Sequence, residues 1–345
     1  MCVIEDKQTI LAEARKVRKC NRTIQPQLFH PMRFIILLTA LLTFLGVTVG
    51  QSADAASSAG ARRTNVAAQA GASGTNRAAR AQRQIVLGPD DKAAFAAAPI
   101  GFDQKREGIA RGRMELVTYP SKSVGTNRQM MVYTPPGFSK ETRYPVLYLL
   151  HGIGGDEREW QRGGAPDVVL DNLIAESKAT PMIVVMPNGR AQVNDRAAGN
   201  VFQSAPAFAK FEDDLLKDVI PFIEANYPVK KEREGRALAG LSMGGGQSLN
   251  FGLAHIDTFA WVGGFSSAPN TKVPEQLLPK VEEAKKLKLL WISCGDQDGL
   301  INVAQRTHAY LKSNNVPHVY HIEPGRHDFK VWKNDLHLFA QQLFR

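Results

Sequence analysis

Apolar residues in this chain gather into short, largely unbroken runs separated by longer stretches with helical spacing. Val146–Leu150, Met182–Met186, Arg236–Leu241, Phe259–Phe265, Leu287–Cys294 and His318–Ile322 read as strands. Between them, helical patterns run near 167–177, 208–227, 245–255 and 303–314, with a last one from Phe329. Strands with no polar alternation are buried on both faces, and helical crossovers make them parallel. Two earlier strands, Met114–Tyr119 and Arg128–Thr134, are joined by a turn at Gly125-Thr126-Asn127, and Pro135-Pro136-Gly137 stops the second. The pattern predicts a doubly wound, mostly parallel α/β sheet with antiparallel N-terminal strands. No internal repeat is present.

The first third of the chain is different. Residues 1–31 are polar and basic; Met32-Arg33, the apolar run Phe34–Val49 and Ala53-Asp54-Ala55 follow. A positive residue, an apolar run of about sixteen and a small-x-small site make a secretory signal. Cleavage is expected after Ala55, with export to the periplasm or outside the cell. The competing reading is an uncleaved N-terminal anchor, although a span needs about twenty residues. Met32 is an alternative start to Met1. Residues 56–84 hold Ala, Ser, Gly, Arg, Gln and Asn with almost no large apolar side chain, too little to offset the entropy of ordering. The expected organisation is therefore a leader at 1–55, a disordered linker and transitional segment at 56–108, and a catalytic domain at 109–345. Within the transitional segment a short helix is expected around Lys92–Ala98.

Charge follows the same division. The formal net charge is +10, but residues 1–55 carry seven Lys/Arg against four Asp/Glu, and 56–84 carry five Arg and no acid. The remainder is nearly neutral and has no basic stripe with interleaved aromatics, so nucleic acid is not an expected partner. Membrane contact is expected only through the N-terminal leader. Cys2 and Cys20 lie in the leader and leave Cys294 alone in the body, so a processed product has no intrachain disulfide.

Candidate chemistry centres on Gly240-Leu241-Ser242-Met243-Gly244, which fits the G-x-S-x-G nucleophile elbow. A buried strand must turn sharply into a helix there, and glycines remove the Cβ clashes that the turn would create. The helix N-terminus then favours developing negative charge. A serine hydroxyl needs a base within hydrogen-bond reach and an acid to orient that base. Cys294-Gly295-Asp296-Gln297-Asp298-Gly299 and Gly325-Arg326-His327-Asp328 each follow a strand, which places them at one sheet edge in the order Ser, acid, His. His327 is the loop histidine. His308, His318, His321 and His337 fall within predicted helices or a strand. The pattern alone leaves Asp296 and Asp298 open; the acid not used would cap a helix or bind loop backbone.

Oxyanion donors are expected from the Met243 N–H and from the loop His151-Gly152-Ile153-Gly154-Gly155, with Ile153 N–H the second donor and Gly152 its alternative. His151 reads as structural, and the loop glycines as room for backbone to approach substrate. Trp160, Phe202 and Trp332 are candidates for lining an acyl or sugar pocket, or for ordinary core packing. The stretch from Asn188 to Ala207 is the expected variable loop over the site. Nothing in the histidine and cysteine spacing indicates a metal, and no cofactor is implied.

Four motifs, Y-L-L-H-G-I-G-G (148–155), A-G-L-S-M-G-G-G-Q-S (239–248), S-C-G-D-Q-D (293–298) and H-D-F-K-V-W (327–332), together resemble the esterase D-like α/β-hydrolases. Among these the chain is most similar to feruloyl and acetyl-xylan esterases of the first carbohydrate-esterase family. The resemblance covers roughly residues 110–345. It implies an α/β-hydrolase fold and a secreted serine esterase acting on feruloyl or acetyl esters of plant cell-wall polysaccharide. It also points to Asp298 as the triad acid. Arg326 departs from the family's usual glycine run before the histidine, and it would narrow the pocket or recognise an acidic group. The same look extends to hydrolases of siderophore esters and thioesters and to sugar-ester acyltransferases. A non-catalytic carbohydrate-binding protein on this scaffold is the rival from another class.

Overall fold

The continuous apolar runs are the inner strands of one sheet covered on both faces. A computed structural model describes residues 84–345; the expectations for the leader and for the linker up to residue 83 lie outside the described residues. The strands are β1 (Arg113–Ser121), β2 (Thr126–Thr134), β3 (Val146–Leu150), β4 (Ile183–Pro187), β5 (Arg236–Leu241), β6 (Trp261–Phe265), β7 (Leu289–Gly295) and β8 (Val319–Glu323). Their spatial order is β1-β2-β4-β3-β5-β6-β7-β8. β1 pairs antiparallel with β2 and β2 with β4, and every later pairing is parallel. This is the α/β-hydrolase arrangement, a mostly parallel sheet with an antiparallel start.

Alternate residues of each strand serve opposite layers. Val146, Tyr148 and Leu150 of β3 join Leu238 and Ile292 in one core, and Leu147 and Leu149 join Ala239 and Trp291 in the other. The first core is closed by α3 (Ala205–Asp214), α4 (Ile220–Asn226), α5 (Ser242–Ala254) and α8 (Ile301–Ser313). The second is closed by α2 (Pro166–Ala175) and α9 (Phe329–Ala340), with Trp160 of the short α1 (Glu159–Gly163). Two further short helices, α6 (Pro274–Leu277) and α7 (Val281–Ala284), lie between β6 and β7. The helix expected over 208–227 is α3 and α4 joined by a π turn at Leu215–Val219. Pro221 has no N–H to give and its ring would crowd the carbonyl one turn earlier, a conflict that a wider turn relieves. Among the described residues, no helix is long and apolar enough to cross a membrane.

The first described residues differ from expectation in one respect. Residues 92–98 form no helix; they run along β8, the last strand of the sheet. The Lys92 carbonyl accepts from Ile322 N–H at 3.1 Å. Ala94 N–H donates to His321 Nδ1 at 3.0 Å and Ala98 N–H to Asn334 Oδ1 at 2.6 Å. Phe95 stacks on Trp291 with ring centroids 5.5 Å apart. The backbone groups a helix would have used internally instead cover an open sheet edge, a liability in an α/β protein. Residues 92–98, within the stretch expected to be transitional, are therefore packed against the sheet edge and α9.

Candidate active site

The elbow is built by close approach of backbone to backbone. A Cβ on Gly240 would stand 2.7 Å from the Gly244 carbonyl carbon, and one on Gly244 would stand 2.5 Å from the His151 carbonyl oxygen. Only glycine lets β5 pass so abruptly into α5 beside the end of β3. Ser242 is the residue that bends, with φ at +52°, a left-handed conformation that costs a non-glycine residue about 1 kcal/mol or more. Its carbonyl is held by Ala268 N–H at 2.9 Å.

The strained serine meets the other two loops. His327 Nε2 lies 2.9 Å from Ser242 Oγ, and His327 Nδ1 lies 2.7 Å from Asp298 Oδ2. An ionised carboxylate can only accept, so Nδ1 carries the proton and Nε2 presents its lone pair to the serine hydroxyl. Asp298 is buried, and its other oxygen accepts from Leu300 N–H at 2.8 Å. Burial pushes its pKa up, but the hydrogen bond and charge of His327 and the Leu300 N–H outweigh it and hold the carboxyl below its ordinary value. Asp296 does not reach the imidazole. Its Oδ1 accepts from Gly325 N–H at 3.0 Å and ties the acid loop to the histidine loop, so the open choice between the two acids closes on Asp298.

The loop after β3 is pinned almost everywhere. Gly152 N–H donates to Glu159 Oε2 at 2.7 Å, whereas Ile153 N–H has no hydrogen-bond partner among the described residues. A Cβ on Gly155 would fall 2.2 Å from the same Glu159 oxygen, so that glycine makes room for Glu159 rather than for substrate. His151 is buried between Gly189 N–H, which donates to its Nε2 at 2.8 Å, and the Gly152 carbonyl, 2.7 Å from its Nδ1. The proton is therefore on Nδ1, and burial holds the pKa of the imidazole below its usual value. The Met243 N–H lies in the first turn of α5, where helical N–H groups have no partner within the helix.

The three aromatic candidates part ways. Trp160 is buried in the core, with its indole N–H donating to the Leu150 carbonyl at 3.0 Å and its ring edge-on to Phe265 and Phe329. This is the ordinary core packing that the sequence left open for it. Trp332 stands edge-on to His327 with centroids 4.9 Å apart and backs the imidazole. Phe202 is 71% exposed on the 3-10 turn Val201–Ser204, within the stretch after β4. Sequence reasoning passed over Glu159 and Arg190. The signal for Arg190 was present, since Asn188-Gly189-Arg190 leaves β4 at the same sheet edge.

One cluster has the composition of a metal site. Ligand atoms of His321, Glu323 and Asp335 lie within 4.8 Å of one another, all buried. The imidazole does not suit the role. Ala94 N–H donates to Nδ1, so a neutral ring keeps its proton on Nε2, the nitrogen facing Glu323. A ligating histidine needs the opposite tautomer. Cys294 is buried, and burial raises its thiol pKa, so it has none of the exposure of a reactive cysteine.

A family model described as "Putative esterase" matches residues 121–341. The chain belongs to this esterase family. It is 33% identical over 249 residues to an endo-1,4-beta-xylanase/feruloyl esterase of Xylanibacter ruminicola, covering 71% of this chain and 33% of the relative. A Mycobacterium tuberculosis esterase is 30% identical over 151 residues, 43% of this chain and 31% of the relative. The chain thus spans about a third of the length of these curated relatives. Among solved structures, a ferulic acid esterase of the anaerobic fungus Anaeromyces mucronatus superposes with a TM-score of 0.66 at 27% identity, over 73% of this chain and 98% of that one.

Proposed function

We propose that this esterase-family chain is an exported serine carboxylesterase that hydrolyses feruloyl or acetyl esters on plant cell-wall polysaccharide. The observation that carries the reading is the unbroken line from Asp298 through His327 to Ser242 Oγ, with hydrogen bonds of 2.7 and 2.9 Å. The polysaccharide substrate is supported by the names of the xylanase/feruloyl esterase and ferulic acid esterase relatives. Export is supported by the sequence of residues 1–55.

In this mechanism Ser242 Oγ attacks the ester carbonyl while His327 Nε2 takes its proton. The oxyanion is received by the N–H groups of Met243 and Ile153, each worth about 3 kcal/mol in the transition state. His327 then gives the proton to the leaving alcohol. Water, deprotonated by the same nitrogen, attacks the acyl-Ser242 carbonyl and releases the acid, and the proton returns to Ser242. Asp298 keeps the imidazole in the required tautomer and stabilises it when charged.

The test is turnover of p-nitrophenyl acetate by the protein and by Ser242→Ala, followed by methyl ferulate and acetylated xylan. Loss of turnover in the variant is expected. Equal rates in both would end the reading, and activity confined to esters unrelated to cell walls would remove the polysaccharide assignment.

A further inference from the structure

Behind the loop after β3 lies a buried cation that the triad chemistry does not use. Arg190 is fully buried, and its guanidinium is spent on neutral acceptors of two separate loops. Toward the loop after β3 it donates to the carbonyls of Ile153 and, at 3.3 Å, Gly155. Toward the loop after β4 it donates to the Asp195 carbonyl at 2.9 Å and to Ser204 Oγ at 2.9 Å. Its own backbone is fixed in turn. Arg190 N–H donates to Asn188 Oδ1 at 3.0 Å, and the Arg190 carbonyl accepts from the buried Arg128 at 2.8 Å.

These contacts bear on one N–H group. Ile153 N–H belongs to the peptide whose carbonyl is Gly152 O, and His151 Nδ1–H holds that oxygen. The next peptide plane carries Ile153 O, which Arg190 holds. A trans peptide points its N–H and C=O in opposite directions, so the anchored Gly152 carbonyl sets the direction of Ile153 N–H. The anchor on Ile153 O holds the following plane, and so the position of the residue that carries that N–H. Ile153 N–H itself is not engaged in any hydrogen bond of the described residues. Burying a guanidinium against carbonyls is expensive unless the hydrogen bonds are well made. Here a single such group joins the oxyanion loop to the variable loop.

We propose that Arg190 is a positioning residue for the oxyanion hole: it locks Ile153 N–H in place and makes that lock depend on the seating of the 189–204 loop. The inference rests on the serine-esterase reading above. It differs from a purely structural role in acting on the transition state more than on substrate binding.

The experiment is steady-state hydrolysis of p-nitrophenyl acetate by the wild type, Ser242→Ala, Arg190→Lys and Arg190→Met, with thermal unfolding of each. In Arg190→Met, kcat is expected to fall about tenfold to a hundredfold, a part of what losing one oxyanion donor outright costs, with KM changed less than about twofold. Arg190→Lys should lose less, and guanidinium chloride, well below denaturing concentration, should restore part of the kcat of folded Arg190→Met. An unchanged kcat, a rise in KM alone, or a loss in folded protein that guanidinium does not restore would overturn the proposal. Should Arg190→Met fail to fold, the kcat–KM split in Arg190→Lys decides. A wild type no faster than Ser242→Ala would instead sink the esterase reading, and this inference with it.

Discussion

Asp296 and Asp298 stand two residues apart on one loop and hold different partners. Asp298 accepts from the His327 imidazole at 2.7 Å, and Asp296 accepts from the Gly325 backbone at 3.0 Å. The first bond sets the protonation of the base; the second sets the distance between two loops.

Replacement of each acid by its amide separates those tasks. Asp298→Asn should lower kcat by about three to four orders of magnitude with little change in folding, because an amide no longer fixes the imidazole tautomer. Asp296→Asn keeps an acceptor oxygen and should cost far less activity, about tenfold or below. Ester hydrolysis and thermal unfolding of the two variants check the contrast.

Stability should respond to pH through the acid pair behind the histidine loop. Burial raises the Glu323 carboxyl to about 7, and burial and the Glu323 charge also raise Asp335. Both groups favour their protonated form in the folded state. Their contribution is therefore complete below the ordinary carboxylate range and is lost as pH rises, the Glu323 share through about 7. Below about pH 6.5 the His321 contribution offsets this slope, so urea unfolding should show stability falling with pH most clearly above that point, and Glu323→Gln should remove the Glu323 share of the fall. An unchanged slope would remove Glu323 as its source. His321, depressed to about 4 by burial, acts in the opposite sense over an overlapping range: its contribution is complete above the ordinary imidazole pKa and is lost as pH falls through about 4.

Gly244 and Gly154 share a residue type and should differ in tolerance. A Cβ on Gly244 would press on the backbone of His151 and Leu150, which cannot move aside, whereas Gly154 faces open space. Gly244→Ala should lose about 3 kcal/mol or more, or fail to accumulate as soluble protein. Gly154→Ala should stay within about 0.5 kcal/mol of the parent in urea unfolding.

Phe95 anchors the segment that covers the β8 edge. Phe95→Ala removes the stack on Trp291 and should cost about 2 kcal/mol, a few degrees in melting temperature. Faster amide exchange in β8 in that variant would show that the edge cover is what was lost.

What could be read from the chain depended on how local the cause was. Val146–Leu150 and Arg236–Leu241 appear at their expected bounds because strands buried on both faces have little room for polar residues. The elbow, His327 and the strand-loop placement of the acids were legible for the same reason. The role of Asp298 over Asp296 needed either the family resemblance or coordinates, since two carboxylates in one loop look alike until their partners are placed. The 84–98 segment escaped because its bonds go to His321, Ile322 and Asn334, more than two hundred residues away. For Trp160 the chain left pocket lining and core packing open, and the bond from its indole N–H to the Leu150 carbonyl is a tertiary contact that no local pattern shows. Arg190 and Glu159 act on backbone atoms of a distant loop, which leaves no periodic trace in the sequence.

The left-handed backbone at Ser242 carries a consequence for how this scaffold tolerates change. Only glycine rests there without penalty, so Ser242→Gly should give a sturdier molecule that has lost its nucleophile. Selection for robustness alone would then erode the site, and keeping a hydroxyl at that bend means retaining a residue the fold itself disfavours.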